Sequence, residues 1–277
     1  MVFNKLNCAI TGHTGVLGKQ LVKKKLELKF IKFQGDITKK KEVKNWIKLN
    51  KIDIVIHLAA KVPTKFVNKN YKYANKVNYL GTKNLIDSLL EAKKKVKWFF
   101  FASTSHVYKF SVKKISENHL KKPITKYGLT KLKAENYVKK KLSKHNIKYC
   151  IGRIFSFTHS TQKNLYVVPN IINKVKKNKN IIIFNNMNHY RDFVSIDDIC
   201  EAIKVLLHKR SVGIFNIASG KKILISTIAK IICKKLKKKA IFNNNRIQTS
   251  LVANINKIKK INWKPKKNIY QIIKELL

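Results

Sequence analysis

A strand, a turn and a helix near the N-terminus constrain this chain most strongly. The apolar residues 6–10 are typical of a buried strand, and apolar residues at helical spacing begin again at Val16 and Leu17. Between them the spacing G-x-x-G-x-x-G is set by Gly12, Gly15 and Gly18. Such a turn predicts a phosphate-binding site, because glycines admit a close approach and free amide groups at the helix start face the anion. The alternative is an ordinary glycine-rich turn.

Strands and helices alternate through the first half of the chain. The predicted strands span residues 6–10, 30–33, 52–60, 96–102 and 149–155. The predicted helices run from the glycine turn to about residue 28, from a cap at Thr38, across residues 77–90, and from Tyr127 to about residue 144. This alternation predicts an α/β fold, a doubly wound parallel sheet of the Rossmann type with helices on both faces.

The rest of the chain is less regular and predicts a smaller C-terminal α/β lobe. Strands are expected at 181–184 and 214–218, and helices at 168–175, at 197–207, from a cap at Ser226, and from about Asn268. We expect one domain over residues 1–155, to which residues of about 190–218 also contribute. The second lobe would combine residues 156–189 and 219–277, lying over the carboxyl edge of the sheet.

The composition raises the question of a polyanionic partner. Lysines and arginines number 62 against 13 acidic residues, a formal net charge of +49, which would suit a nucleic-acid or anionic-membrane binder. However, only four of the 62 are arginines, lysines occur in every segment, and no zinc, helix-turn-helix or RNA-recognition pattern is present. We therefore expect a solvated lysine-rich surface that attracts anionic ligands, no metal site, and nucleic-acid binding only as a minor alternative.

The apolar content points to a globular protein of the cytoplasm. Hydrophobic residues make up 44% of the chain, but the apolar runs are far shorter than the ~20 residues of a membrane span. No signal peptide is predicted, and no membrane partner is expected. The four cysteines are widely spaced, without a C-x-x-C pair, and buried free thiols are expected at Cys8, Cys150, Cys200 and Cys233.

Tyr127 and Lys131 are the first candidates for chemistry. They stand four residues apart at the start of a predicted helix and so share one face. A lysine ammonium beside a phenol is expected to lower the tyrosine pKa toward the range of a general acid or base. Thr104, at the end of a predicted strand, offers a hydroxyl to the same substrate oxygen.

With these motifs in order, the chain resembles the extended short-chain dehydrogenase/reductases, in particular the NAD-dependent epimerase/dehydratase group that acts on nucleotide sugars. The matching pieces are T-G-x-x-G-x-x-G at 11–18, G-D-I at 35–37, L-A-A at 58–60, N-x-x-G-T-x-N-L at 78–85, S-T-S-x-V-Y at 103–108, Y-G-x-x-K at 127–131, R-D-F-V-x-x-D-D at 191–198, F-N-I-A-S-G at 215–220 and N-W-K-P at 262–265. The resemblance spans nearly the whole chain, and Arg153 also falls on a family arginine position.

The resemblance implies an NAD(P)-binding domain over 1–155 and a substrate lobe after it, with NADP or NAD as cofactor and a nucleotide-diphosphate sugar as substrate. It assigns the acid/base role to Tyr127, with Thr104 and Lys131 as its catalytic partners. The implied cofactor-binding residues are Gly12, His13, Gly15, Val16, Leu17, Gly18, Asp36, Ile37, Leu58, Ala59, Ala60, Asn78, Tyr127 and Lys131. The implied substrate-binding residues are Thr104, Ser105, His106, Ser156, Tyr166 and Arg191. The family also implies a homodimer, formed by the helix that begins near Tyr127 and the long helix after Asn78.

Simpler roles compete at two of these positions. Asp36 is equally suited to capping a helix. Arg191 is suited to gripping a diphosphate, but also to a salt bridge with Asp192, Asp197 or Asp198.

Departures from the family pattern narrow the expected activity. Ser105 and His106 stand where the 4,6-dehydratases of the family carry two carboxylates, which disfavours a dehydratase because elimination of water needs an acid and a base there. His106 and Tyr166 replace the Cys and His of the family's 3,5-epimerising synthases. Ser156 replaces the usual Asn, and Thr158 and His159 replace a Tyr-Gly pair.

The leading hypothesis is therefore reduction of a 4-keto-6-deoxy nucleotide sugar. The main alternative is a 4-epimerase with tightly held NAD, and a weaker one is a non-catalytic dinucleotide or nucleic-acid binder. The second strand carries no acidic residue at its end, where an NAD site normally has one. His13, Lys32 and Lys61 would tolerate a 2′-phosphate, which leans the expectation toward NADPH.

Overall fold

The computed structural model describes residues 5–24, 26–178, 180–243 and 249–277, and a six-stranded parallel sheet forms its centre. The order of the strands across the sheet is β2-β1-β3-β4-β5-β8. Their bounds are β1 (Leu6–Thr11), β2 (Leu28–Lys32), β3 (Ile54–His57), β4 (Trp98–Thr104), β5 (Tyr149–Ile154) and β8 (Gly213–Ile217). The predicted doubly wound α/β fold is confirmed.

The winding of the sheet reverses between β1 and β3. Strand β1 pairs with β2 on one side and with β3 on the other, and Thr11 is opposite His57 in the register. In doubly wound sheets a ligand binds where the winding reverses, outside the carboxyl ends of the strands. The glycine turn after Thr11 and the Leu58–Ala60 loop after His57 both begin at that edge.

Helices cover both faces of the sheet and bury its central strands. In β4, Trp98 and Phe100 pack into the core on one face, while Phe99 and Phe101 pack into the core on the other. All four aromatic side chains are fully buried, as expected for strands of a parallel sheet that is covered twice. The covering helices are α1 (Val16–Lys23), α2 (Lys40–Leu49), α3 (Thr64–Lys69), α4 (Tyr71–Asn75), α5 (Gly81–Glu91), α6 (Lys126–Lys144) and α8 (Ile196–His208). A π-helical turn, Lys76–Leu80, joins α4 to α5.

The smaller elements of the C-terminal half form a separate apolar core around Ile171, Phe184 and Ile228. Strands β6 and β10 pair in parallel, and β7 pairs with β11 in parallel and with β9 antiparallel. The bounds are α7 (Val167–Lys177), β6 (Ile181–Asn185), β7 (His189–Arg191), β9 (Ile223–Leu224), α9 (Ile225–Lys235), β10 (Lys239–Asn243), β11 (Thr249–Leu251), α10 (Asn256–Lys259) and α11 (Ile269–Lys274). The separation of a cofactor domain from a substrate lobe at residue 155 stays a prediction.

Some predicted element ends are wrong. Helix α1 ends at Lys23 and not near residue 28, because Leu28 already pairs with Leu6 in the sheet. Lys39, not Thr38, precedes α2, and Ser226 lies inside α9 because β9 continues directly into that helix. The four cysteines are free and buried, as predicted. Within the described ranges, no helix is both long and apolar enough to span a bilayer.

Candidate active site

The loop between β1 and α1 turns at Gly12. Its φ of 73° lies in the left-handed region, and a β-carbon there would lie 2.5 Å from the Ala59 nitrogen. Glycine avoids both the strain and the collision. The Gly15 amide donates to the Gly12 carbonyl at 3.1 Å and closes the turn. The glycine loop therefore lies directly against the loop that follows β3.

The start of α1 presents free backbone donors to this crevice. The amides of Val16, Leu17 and Gly18 have no acceptor among the described residues, and no side chain caps the helix at Gly15. A helix start with free amides and a positive dipole end binds an anion. The site fits the diphosphate of a dinucleotide, which Gly12, His13 and Gly15 would surround.

Asn78 holds the opposite wall of the crevice. Its side-chain oxygen accepts from the Lys61 amide at 2.7 Å, and its side-chain nitrogen donates to the Lys61 carbonyl and to the Thr130 hydroxyl, both at 3.0 Å. These bonds hold the backbone at Lys61, directly after Ala60. The predicted contact between Asn78 and the cofactor stays a prediction.

A buried histidine ties β1 to β3 and α5. His57 Nδ1 lies 2.5 Å from the Thr11 hydroxyl, and its Nε2 lies 2.8 Å from the Thr82 hydroxyl. Burial, with a smaller contribution from the charge of Lys131, lowers the pKa of His57 to about 3. His57 is therefore neutral and structural at neutral pH. In the sequence His57 is visible only as a polar residue within an apolar run, and nothing there indicates its partners Thr11 and Thr82.

The far end of the crevice carries Asp36 and Ile37. The Asp36 carboxylate accepts from the Thr38 amide at 2.8 Å, and this hydrogen bond lowers the Asp36 pKa. Asp36 thus stabilises the turn before α2, a role similar to the helix capping that we considered as the alternative for this residue. Ile37 is buried and packs against Gly81. Burial and then the charge of Lys32 lower the pKa of His13, which places a lysine charge near the glycine loop.

The start of α6 brings Tyr127 to the end of β4. Thr125 caps the helix by accepting from the Gly128 amide at 3.0 Å. A β-carbon at Gly128 would collide with the His106 carbonyl, so glycine lets α6 pack closely on the 3₁₀ turn Ser105–Val107. The rings of Tyr127 and His106 lie 5.7 Å apart, edge to face. The Thr104 hydroxyl accepts from the His106 amide at 3.3 Å and lies beside the Tyr127 phenol, on whose pKa it acts.

The pKa values of Tyr127 and Lys131 are set mainly by burial. Burial raises the pKa of the Tyr127 phenol above its ordinary value, and the hydrogen bond with Thr104 opposes that shift only in part. Burial lowers the pKa of Lys131 to about 7, against the opposing charge of Glu135. We expected Lys131 to lower the pKa of Tyr127, and this expectation is wrong: burial raises that pKa instead. Lys131 Nζ lies 4.0 Å from the Phe101 ring centre and has no hydrogen-bond acceptor among the described residues.

Lys131 should give protein stability a specific pH dependence. An unfolded lysine binds its proton up to a pKa near 10.4, whereas folded Lys131 releases it near 7. Between these values the unfolded state holds more protons, so the free energy of unfolding rises with pH, by at most about 1.4 kcal/mol per pH unit. We expect Lys131→Met to remove this rise in urea unfolding measured at pH 6, 7.5 and 9. Equal slopes for the variant and the wild type would contradict the lowered pKa.

A buried ion pair lies one helical turn beyond Lys131. Glu135 accepts two hydrogen bonds from Arg153, at 3.0 and 2.7 Å, and one from the Ser103 hydroxyl at 2.5 Å. Both charged side chains are fully buried. Arg153 also donates to the Glu117 carbonyl at 3.0 Å. Sequence reasoning missed Glu135, although its position four residues after Lys131 on α6 was a usable signal.

Of the predicted substrate residues, Thr104, His106 and Tyr166 lie near Tyr127. Burial, together with the charge of Arg191, lowers the pKa of His106 to about 4, so this ring is neutral at pH 7. Tyr166 precedes α7, and its phenol interacts electrostatically with that of Tyr127. Ser105 is buried in the turn after β4. Ser156 uses its backbone to pair with the segment at Asp192–Val194.

Arg191 has no carboxylate partner among the described residues. Its Nη1 donates to the carbonyls of Tyr190 and Thr249, at 2.8 and 3.2 Å, and burial lowers its pKa to about 10. The acidic residues that follow it are engaged elsewhere. Asp192 binds the amides of Ser219, Gly220 and Ala253, Asp197 pairs with Lys24 and Lys267, and Asp198 binds the amides of Lys266 and Lys267. The guanidinium donors of Arg191 that are not bonded to Tyr190 or Thr249 are therefore available to a ligand anion.

Comparison with known proteins places this architecture among nucleotide-sugar enzymes. The model of the NAD dependent epimerase/dehydratase family matches residues 8–218. A provisionally named UDP-glucose 4-epimerase of Methanocaldococcus jannaschii is 26% identical over 97% of this chain and 96% of its own. The dTDP-4-dehydro-6-deoxyglucose reductase of Escherichia coli is 27% identical over 92% of both chains. The structure of RMD from Pseudomonas aeruginosa complexed with NADPH superposes with a TM-score of 0.90 and 20% identity, covering 99% of this chain and 98% of the other.

Proposed function

Because the chain belongs to the NAD-dependent epimerase/dehydratase family, we propose that it reduces a 4-keto-6-deoxy nucleotide sugar with a reduced nicotinamide dinucleotide. Family members include nucleotide-sugar epimerases, dehydratases and reductases, and the expected family, fold and type of cofactor are confirmed at that level. The choice of reduction, of the 4-keto substrate and of the residue roles is our proposal.

One observation carries the choice of reduction. Thr104 lies beside Tyr127 and acts on the pKa of its phenol, and the two residues after Thr104 are a serine and a neutral histidine. Among the described residues, the nearby carboxylates are engaged: Glu135 with Arg153, and Glu117 with the Asn216 amide. Elimination of water across C5–C6 needs a free acid and base. The site therefore supports proton transfer to one oxygen and offers no carboxylate pair for dehydration.

The chain's own residues supply the proton chemistry. When bound, the reduced cofactor would supply the hydride that adds to the keto carbon. Thr104 donates a hydrogen bond that orients the keto oxygen, and Tyr127 donates its phenolic proton to that oxygen, which leaves the alcohol. Burial raises the pKa of this phenol, so it holds its proton at neutral pH until the substrate and cofactor are in place. Lys131 lies one helical turn away, where its ammonium form would hold the cofactor ribose and stabilise the phenolate.

Arg191 is proposed to bind the substrate's diphosphate. It is a half-buried guanidinium with donors left over from its two backbone carbonyls. A planar, permanently charged donor group matches phosphate oxygens better than an ammonium does. Tyr166 and His106, which flank Tyr127, would contact the sugar.

NADPH is the proposed reductant. Strand β2 ends at Lys32 with no acidic residue, and the next one along the chain, Asp36, accepts a hydrogen bond from the Thr38 amide in the turn before α2. An NAD site normally places a free carboxylate on the adenosine ribose hydroxyls. Here the nearest side-chain charge acting on His13 is that of Lys32, which favours a 2′-phosphate.

A 4-epimerase is the second candidate, favoured by the full-length similarity to the Methanocaldococcus relative. It would use the same tyrosine in both directions, with the cofactor returned to its starting state. Two incubations separate the candidates: a 4-keto-6-deoxy nucleotide sugar with NADPH, and a nucleotide hexose with no added reductant. Cofactor oxidation in the first supports reduction, and C4 epimer formed in the second contradicts it.

A homodimer is also proposed from the family resemblance. The helices concerned are α5 and α6. Just before α5, the ring of Tyr79 in the π-helical turn lies 6.2 Å from the ring of Tyr137 on α6. Light scattering of the purified protein should give twice the mass of one chain. A monomer across the accessible concentrations would refute the dimer and leave the assignment of the active site intact.

A further inference from the structure

Acidic residues are missing from one part of the molecule. The sequence has no Asp or Glu at positions 136–191 or 202–274. Two helix–strand units fall wholly inside these stretches: α7 with β6, and α9 with β10. Residues 167–185 and 225–243, which contain them, hold ten lysines and no acidic residue. Lysines therefore occur throughout the chain, but in these two units no acidic residue of the same unit neutralises them.

These two units form a small two-layer structure with one open face. Strands β6 and β10 pair in parallel, so that Ile181 lies beside Lys239 and Ile183 beside Ile241. The alternate residues, Ile182 and Phe184 of β6, point inward and pack on α7 and α9. The side chains that point outward include three isoleucines, and their exposed fractions are 54% for Ile181, 50% for Ile183 and 40% for Ile241.

Lysines gather at the end of the sheet where both strands begin. Helix α7 ends in Lys176 and Lys177, and helix α9 ends in Lys234 and Lys235. Each helix is followed within a few residues by its strand, and the strands are parallel, so both lysine pairs reach the same end. All four side chains are exposed. None of them takes part in a described salt bridge, whereas Lys24, Lys40 and Lys97 elsewhere pair with carboxylates.

We propose that this surface, formed by Ile181, Ile183 and Ile241 with the four lysines at the end of the sheet where both strands begin, docks the protein onto an anionic lipid bilayer. Aliphatic side chains that enter the headgroup boundary and lysines that meet acidic phosphates are the two components of peripheral membrane binding. A surface for single-stranded nucleic acid would present aromatic rings for stacking, and the outward residues of β6 and β10 include none.

The sequence alone led us to expect no membrane partner, because no segment could span a bilayer. Docking by this face needs no span. It would hold the enzyme at a lipid surface with the site around Tyr127, which lies on other elements, still open to soluble ligands.

Vesicle co-sedimentation tests the proposal with the full chain. Phosphatidylcholine vesicles are compared with vesicles that also contain phosphatidylglycerol, for the wild type and two variants. One variant replaces the three exposed isoleucines by glutamine, and the other replaces Lys176, Lys177, Lys234 and Lys235 by glutamine. Because a net charge of +49 attracts any anionic surface, matched controls locate the contact. One control replaces Leu49 and Val112, which are exposed elsewhere, and the other replaces the exposed Lys41, Lys48, Lys51 and Lys95.

We expect the wild type to sediment with the anionic vesicles only, each docking variant to weaken that binding by about tenfold or more, and each control to change it by less than about twofold. Thermal unfolding checks that each variant is folded, and since the two variants share no residue, either one is sufficient to decide. The proposal is overturned by docking variants that bind like the wild type, by control lysines that matter as much, or by a wild type that ignores anionic vesicles. It is also overturned if duplex DNA displaces the vesicles while the isoleucine variant binds normally, since that outcome identifies a nucleic-acid surface.

Discussion

Replacing Tyr127 by phenylalanine is expected to lower kcat for ketone reduction by about 10²- to 10⁴-fold, the usual contribution of a positioned general acid. The change removes the phenolic oxygen, which carries the proton that we propose is transferred to the keto oxygen. The phenyl ring still fills the same buried space, so the protein should fold normally. The measurement is single-turnover oxidation of NADPH with a saturating 4-keto-6-deoxy nucleotide sugar.

The Tyr127→Phe result is informative because binding can be followed separately. The glycine loop and the start of α1 do not involve the phenol, so the affinity for NADPH should change little. Tyr270→Phe, at a tyrosine that is 62% exposed on α11, is the matched control and should retain full activity. A Tyr127→Phe variant that turns over at the wild-type rate would reject both the reductase and the epimerase mechanisms and favour a non-catalytic dinucleotide binder.

The largest effect on stability is expected from Glu135→Leu. This change leaves Arg153 charged, fully buried and without its carboxylate, and it also takes the acceptor from the Ser103 hydroxyl. Breaking one side of a buried ion pair costs about 3–5 kcal/mol of unfolding free energy. Urea unfolding measures the loss. The exposed pair Lys40–Glu91 is the control, and Glu91→Gln should leave the unfolding midpoint unchanged.

The double variant Glu135→Leu with Arg153→Met separates the ion pair from simple packing. If the loss comes from an uncompensated charge, removing that charge should restore most of the stability, since apolar replacements of a buried pair are often neutral. If the double variant is as unstable as the sum of the single changes, the two residues act independently and the pair interaction is not the cause.

The class of fold and the central strands could be predicted because the local signals agree with the fold. In β3 and β4 nearly every residue is buried, and continuous apolar runs in the sequence mark such strands directly. Helix ends were harder to predict: α1 ends at Lys23 because pairing of Leu28 with Leu6 competes with helix extension. This pairing joins residues distant in sequence, so the hydrophobic periodicity of the sequence cannot predict it.

In the candidate site, too, local motifs could be predicted from the sequence, whereas contacts between distant residues could not. Tyr127, Lys131, Thr104 and the glycines follow from local motifs, and the structure brings them to one edge of the sheet. The hydrogen bonds of Asn78 go to Lys61 and Thr130, residues distant in sequence, and no local motif predicts them. His57 and Glu135 went unnoticed, because their partners Thr11 and Arg153 become neighbours only when strands and helices pack.

Other motif residues turned out to support the architecture. The Tyr108 hydroxyl donates to the side-chain oxygen of Asn216 at 2.7 Å, and Asn216 donates in turn to the carbonyls of Ile115 and Asn254. These bonds join the segment after β4, the end of the sheet and the C-terminal strands. A residue in a family motif can therefore connect parts of the fold as well as bind a ligand, and its contacts in the structure distinguish the two roles.

The most direct test of the proposed function follows hydrogen from cofactor to sugar. A 4-keto-6-deoxy nucleotide sugar is incubated with the protein and NADPH deuterated at the transferable position, and the product is analysed by mass spectrometry and NMR. We predict one deuterium at C4 of the product sugar for each NADPH oxidised, with Tyr127→Phe slowing its appearance by about 10²-fold or more. Unlabelled sugar with no NADPH consumed, while a nucleotide hexose is converted to its C4 epimer without added reductant, would contradict the account.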